Sequence, residues 1–200
     1  DSKPHDAVPP APGAGSVALV VGASGSLGDA LAARLAERCS AVGLHAFRNR
    51  HVCDARAEKL RAAGRRAAVF VADISSWDEC GKLVESCLHE FGRVDEIYLC
   101  AGVSEDAPLP RLTPEKWRRI VGVNVDGPFF ILRRMARQFV KQRGGLIVAI
   151  GSHAGVCGRA GGSIYAASKS ALIGLIKSAA REFGAFGVRA VCVLPGFMPD

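Results

Sequence analysis

The chain alternates short apolar runs with longer amphipathic stretches. Residues 16–21, Ser-Val-Ala-Leu-Val-Val, form a β-rich run that stops at Gly22, the pattern of a strand buried on both faces. Residues 27–39 follow, with Leu27, Leu31 and Leu35 at helical spacing. The alternation then repeats, predicting strands over 41–47, 67–72, 94–100, 146–150 and 188–194, and helices over 54–63, 77–91, 113–142 and 163–183. In the 77–91 helix Leu83, Val84, Cys87 and Leu88 share one face. Thr113-Pro114-Glu115 reads as a helix start: a capping hydroxyl, a proline in the first turn and an acid at the positive helix end. Gly144-Gly145 closes that helix. Six strands without a hairpin signal between them require parallel pairing through helical crossovers, which predicts a doubly wound α/β sheet with helices on both faces.

Composition narrows this picture. Two hundred residues with 49% apolar and 22% charged side chains suit one globular domain and exclude a disordered chain. No apolar run reaches the roughly 18 residues needed to span a bilayer, so no membrane helix is expected. Residues 1–15 carry four Pro and no apolar periodicity, and are expected to be a disordered leader ahead of a folded domain over 16–200. The net charge is +7, and nineteen of the 26 basic residues are Arg, scattered through helical stretches. Solvated helix faces or an anionic ligand, cofactor or carrier would both suit this surplus, whereas no nucleic-acid-binding pattern accompanies it. None of the seven Cys forms a C-x-x-C pair and most sit in apolar runs, so free buried thiols in a reducing compartment are expected, not a metal site or disulfides.

The first candidate chemistry lies in Val21-Gly22-Ala23-Ser24-Gly25-Ser26-Leu27-Gly28, between the first strand and the first helix. Glycines there permit a tight turn, close approach of a pyrophosphate to backbone N–H groups, and close helix–strand packing. The strand before and the helix after give the turn the context of a Rossmann-like dinucleotide site contacted by Gly22, Ser24, Gly25, Ser26, Leu27 and Gly28. The second strand ends in His45-Ala46-Phe47-Arg48-Asn49-Arg50. That stretch offers no acid for the adenosine ribose hydroxyls, and its arginines suit a 2′-phosphate, which favours NADP(H) over NAD with Arg48 and Asn49 as contacts. Ordinary loop cations are the alternative.

From Val17 onward the residues resemble the short-chain dehydrogenase/reductase family. Tyr165-Ala166-Ala167-Ser168-Lys169 looks like its Y-x-x-x-K motif, and Ser152 stands 13 residues earlier, where that family keeps a serine. Asn124, in Val123-Asn124-Val125, matches the asparagine of its fourth helix. Cys100-Ala101-Gly102 resembles its Asn-Ala-Gly motif, Ala72-Asp73-Ile74 its adenine-contacting Asp, and Pro195-Gly196 the Pro-Gly after strand six. The resemblance implies a catalytic set of Asn124, Ser152, Tyr165 and Lys169, with Lys169 also reaching the nicotinamide ribose and Asn124 anchoring a water relay. It implies further cofactor contacts from Asp73, Ile74, Cys100, Ala101, Gly102, Pro195 and Gly196. The chemistry is physically sound: Tyr165 and Lys169 are four apart on one helix face, and an ammonium favours tyrosinate. Tyr165 could then move a proton at a carbonyl oxygen held by Ser152. His153 adjoins Ser152, but neighbours on a strand end point oppositely, so no nucleophile–base pair is expected. Asp73 could equally be a structural turn residue.

Two departures stand out. Gly25 sits one place before the family's usual middle glycine, leaving Ser26 there, and Cys100 replaces an amide that ties the central sheet, which puts local rigidity in question. The run from Tyr165 to Leu172, with Lys177, Ala180 and Glu182, is similar to the 3-oxoacyl-carrier-protein reductase group. That likeness implies a cytoplasmic, homo-oligomeric (dimer or tetramer) NADPH-dependent ketoreductase acting on a small carbonyl substrate, with an acyl-carrier-bound 3-oxoacyl thioester as one candidate. An alcohol, sugar or steroid dehydrogenase and a non-catalytic reductase-like scaffold remain open. Family members usually continue past the Pro-Gly, so a C-terminal substrate segment and a last strand are expected to be missing.

Overall fold

The computed structural model describes residues 15–196, so the expected leader, apart from Gly15, and residues 197–200 lie outside the described residues. Six strands, β1 (Val17–Val21), β2 (Ala41–Ala46), β3 (Arg66–Val71), β4 (Glu96–Leu99), β5 (Gly145–Ile150) and β6 (Val188–Val193), form one sheet in the order β3-β2-β1-β4-β5-β6. Every pairing is parallel, with Val21 opposite both His45 and Leu99. The doubly wound Rossmann-like sheet expected from the sequence is therefore present.

Strand β1 explains why the core has two halves. Its five residues are all buried, and successive side chains point to opposite faces. Val17, Leu19 and Val21 join the larger cluster, with Leu83 and Cys87 of α3 (Trp77–Phe91), Ile131 and Met135 of α5 (Gly127–Gln142), and Leu172 and Ile176 of α7 (Ser163–Gly184). Ala18 and Val20 join the smaller one, with Ala32 and Leu35 of α1 (Ser26–Leu35) and Cys53 and Ala57 of α2 (Arg50–Ala62). Among the described residues no helix is long and apolar enough to cross a membrane.

The helix expected over 113–142 is corrected in one respect. Thr113 caps α4 (Pro114–Val121) by accepting from the Lys116 N–H at 3.4 Å, but a π-turn over Gly122–Asp126 interrupts the α-helical ladder before α5. The interruption lies where the helix passes the chain leaving β3. A Cβ on Gly127 would sit 2.9 Å from the Ile74 side chain, and one on Gly122 3.2 Å from Ser75. Pro128 adds to the break, because it has no N–H to offer the Asn124 carbonyl in the α register. The sequence pattern also missed a single-turn helix, α6 (Ala154–Cys157), after β5.

The strand order reverses between β1 and β4. In such sheets the crevice outside the carboxyl ends of the strands at that reversal is where a ligand fits. Parallel pairing brings the residues after β1, β2, β3, β4, β5 and β6 to this one edge.

Candidate active site

The glycine turn leaves β1 at Gly22, whose φ of +87° is left-handed. A Cβ there would lie 2.5 Å from the Ala101 nitrogen, and one on Gly28 would lie 2.3 Å from the Gly22 carbonyl oxygen, so both positions admit only glycine. Gly25 differs: a Cβ would meet only the Gly22 oxygen, at 3.6 Å. It is the N-cap of α1 without a side-chain cap, so the first amides of this ten-residue helix are left to face the cleft. The displaced middle glycine thus leaves the turn intact, with Ser26 at the cleft wall.

One cleft of about 280 Å³ carries the turn residues Gly22, Gly25, Ser26, Leu27 and Gly28 on one side, and Ser152, Tyr165, Lys169, Pro195 and Gly196 on the other. A second, of about 320 Å³, is lined by Ser24, Arg48, Asn49, Asp73, Ile74 and Ala101. The two share Gly22, Gly25, Cys100 and Gly102, so they form one trough across the switch point. A glycine-walled, amide-rich trough of this length fits an extended phosphate-bearing dinucleotide.

Of the expected site residues, Asn124 alone does not line the trough; it is fully buried beneath it. Its Oδ1 accepts from the Val103 N–H at 2.8 Å, and its Nδ2 donates to the Val103 carbonyl and to Ser168 Oγ, both at 2.9 Å. Ser168 in turn donates to the Tyr165 carbonyl at 2.7 Å. Asn124 therefore ties the loop after β4 to the helix carrying Tyr165 and Lys169. This meets the question raised by Cys100: Cys100 and Ala101 both donate backbone N–H to the Val21 carbonyl, at 2.9 and 2.8 Å, so the loop stays pinned without the missing amide. Burial pushes the Cys100 thiol up to about 11, which keeps it neutral.

Lys169 is buried, with Nζ donating to the Ile150 carbonyl at 2.7 Å and lying 5.7 Å from the Tyr165 ring centroid. Burial lowers its pKa from the usual lysine value, and among the described residues no carboxylate offsets the lost hydration. Ser152 Oγ accepts from the Ala154 N–H at 3.2 Å. The reason expected for excluding a Ser152–His153 pair is corrected: β5 ends at Ile150 and His153 is helical, opening α6. Its Nδ1 lies 3.2 Å from the Cys157 sulfur instead. Cys157 is the exposed one of seven free thiols, against the general expectation of burial.

Arg50 pairs with Asp54 one turn along α2, as a solvated helix cation would. Among the described residues Arg48 makes no ion pair; it lies over the Phe47 ring and faces the trough. Asp73 lines the trough too, yet its Oδ1 accepts from both the N–H and the hydroxyl of Ser75, at 2.9 and 2.7 Å, so it is at least a turn residue. Sequence reasoning missed His45 and Ser168. A polar residue inside the wholly buried strand β2 was the signal for the first, and its place three after Tyr165 and one before Lys169 for the second. Among the described residues no group of three or more His, Cys, Asp or Glu is placed to hold a metal ion.

Residues 16–199 match the short chain dehydrogenase family model. The 3-oxoacyl-[acyl-carrier-protein] reductase FabG of Escherichia coli is 35% identical over 92% of this chain and 74% of its own length. That of Staphylococcus epidermidis is 32% identical over 90% of this chain and 74% of its own. Among solved structures, an NAD+-bound xylitol dehydrogenase superposes with a TM-score of 0.88 at 33% identity, covering 92% of this chain and 71% of that one. With the trough, the glycine turn and the Tyr165–Lys169 pair on one edge of the sheet, these matches lead to one conclusion: the chain belongs to the short-chain dehydrogenase family of nicotinamide-dependent oxidoreductases.

Proposed function

We propose that this protein is an NADPH-dependent ketoreductase, in which Ser152 orients a ketone, Tyr165 protonates it and Arg48 selects the phosphorylated cofactor. The observation that carries the cofactor reading is Arg48: an arginine without an ion pair among the described residues, facing the trough at the end of β2, where no acid stands to meet ribose hydroxyls. A guanidinium fork suits a 2′-phosphate. The bound dinucleotide would supply hydride to the carbonyl carbon. Ser152 Oγ would hold the carbonyl oxygen, and the Tyr165 hydroxyl would give it a proton as charge builds there. The Lys169 ammonium would then favour the tyrosinate left behind and hold the nicotinamide ribose. Since both N–H groups of the Asn124 amide are given to Val103 and Ser168 and its Oδ1 accepts from the Val103 N–H, a water relay from Lys169 would run over main-chain groups of the π-turn, where Pro128 leaves the Asn124 carbonyl without its α-register donor.

A scaffold without turnover would gain nothing from an ammonium buried at a cost in hydration, and Lys169 argues against that reading. The similarity to 3-oxoacyl-carrier-protein reductases supports a 3-oxoacyl thioester as substrate, and the net charge of +7 suits an acidic carrier. A cytoplasmic homo-oligomer, dimer or tetramer, completes the reading; half-exposed Trp117 and Phe129 on the α4–α5 helix are apolar surface a second subunit could cover. The NAD+-bound neighbour favours a second reading, NAD-dependent oxidation of a polyol. Fluorescence titration with NADPH and NADH separates the two. NADPH should bind at least about tenfold more tightly, and Arg48→Ala should remove the difference, by about 1.4 kcal/mol or more. Equal affinities in the unsubstituted protein would defeat the Arg48 argument.

A further inference from the structure

His45 is 2% exposed, inside a strand whose six residues are all buried. Both ring nitrogens are engaged. The Gly22 N–H donates to Nδ1 at 3.1 Å, and Nε2 lies 3.0 Å from the Ala72 carbonyl oxygen. The first bond requires a lone pair on Nδ1, so the proton sits on Nε2 and is given to Ala72. The His45 carbonyl also accepts from the Ala23 N–H at 2.8 Å. One residue thus holds the first two amides of the glycine turn and the chain leaving β3, one residue before Asp73. These are two walls of the dinucleotide trough, and His45 itself lines it.

We propose that His45 is a positioning residue of the dinucleotide site, whose neutral ring sets the geometry of the Gly22 turn and whose protonation weakens cofactor binding. A second ring proton would face the Gly22 N–H, donor against donor, and the turn would have to open. Burial favours the neutral ring, lowering its pKa from the usual histidine value. Its register partners on the adjoining strands are Val21 and Phe70, both apolar. The titratable or charged groups sharing its cavity are Asp73, which favours the cation, Arg48, which opposes it, and the neutral Cys100 thiol. Phosphates of a bound dinucleotide would attract the cation too. They would act across the Gly22 peptide from a solvated cleft, whereas the donor–donor clash is immediate at 3.1 Å.

This inference rests on the dinucleotide reading of the trough. The test is calorimetric titration with NADP+, which survives acid, from about pH 8 to about pH 5, for the unsubstituted protein, His45→Asn and His45→Leu, each checked for folding by circular dichroism. Asn keeps an acceptor for the Gly22 N–H but cannot titrate. Its affinity at the alkaline end should match the unsubstituted protein, while on the acid side the unsubstituted protein should lose at least about fivefold more. Titration of the 2′-phosphate is common to both and cancels in that comparison. His45→Leu should bind at least about tenfold more weakly at every pH, yet reach a kcat within about twofold at saturating cofactor. If His45→Leu fails to fold, the His45→Asn comparison carries the test alone. An acid-side loss in His45→Asn equal to that of the unsubstituted protein, or unchanged affinity in His45→Leu, would overturn the proposal. Absence of NADP+ binding in every variant would overturn the dinucleotide reading as well.

Discussion

The two ends of the central sheet bury charge in opposite ways. At the amino end, Glu96 opens β4 with no exposure and four strong donors: Ser16 Oγ at 2.6 Å, the Arg38 guanidinium at 2.7 and 2.5 Å, and the Tyr98 hydroxyl at 2.6 Å. Asp95 beside it accepts from Arg93 and from the Val17 N–H. At the carboxyl end, Lys169 is just as hidden but among the described residues has only a carbonyl partner, and Arg48 is left to the trough. A charge with its partners in place holds the fold together; a charge without them is available to a ligand. The difference separates the architectural end of this molecule from its chemical end.

Lys169→Met should break the comparison most sharply. Carbonyl reduction should fall by about 10²–10⁴-fold, while the melting temperature holds or rises, because a poorly compensated buried cation has gone. A loss of stability on the scale expected for the Glu96 variant would mean that Lys169 is architectural after all. Glu96→Gln is the converse test. An amide NH2 in place of Oε2 meets the Arg38 Nη2 and Tyr98 donors, while the remaining oxygen keeps its bonds from Ser16 and Arg38 Nη1. Urea unfolding should show a loss of about 2–3 kcal/mol, below the usual cost of a severed buried pair because Arg38 remains partly hydrated. NADPH affinity should stay within about twofold, since the change lies at the far end of the sheet.

A smaller effect follows from pH. Burial pushes the Glu96 carboxyl upward, but hydrogen bonds from Arg38, Ser16 and Tyr98 outweigh it and hold the pKa below the ordinary glutamate value. The folded protein therefore binds this proton less readily than the unfolded chain. The contribution of Glu96 to stability is complete above the unfolded carboxylate range and is lost as pH falls through the folded value. Acid unfolding followed by circular dichroism should show a shallower dependence in Glu96→Gln than in the unsubstituted protein. Identical acid limbs would remove Glu96 from the stabilising set.

Features with a local cause were legible in the sequence. The strands announce themselves by continuous apolar runs and the turn by Gly22 and Gly28; the Tyr165–Lys169 pair was placed by its resemblance to the family motif, and its spacing puts both on one helix face. What escaped depends on contacts between distant segments. The π-turn sits in a stretch that reads as one helix, because it arises where Gly122 and Gly127 pass the chain at Ile74 and Ser75. Glu96 looks like a polar interruption in a strand until Arg38, 58 residues earlier, is brought to it. His45 was visible only as part of a strand end, since its partners Gly22 and Ala72 are 23 and 27 residues away. Asn124 was placed by resemblance, and its tie to Val103 and Ser168 needed the fold.

The central claim is that the carboxyl end of the sheet binds a dinucleotide and delivers a proton from Tyr165 to a ketone. Tyr165→Phe tests it most directly, with NADPH consumption against a panel of 3-oxoacyl thioesters and simple ketones measured beside NADPH affinity in the same preparation. Turnover should fall by at least about 10²-fold while NADPH binds as before, because the phenylalanine keeps the ring and removes only the proton donor. Turnover retained within a few-fold on a substrate the unsubstituted protein reduces would contradict the assignment of Tyr165 as the acid.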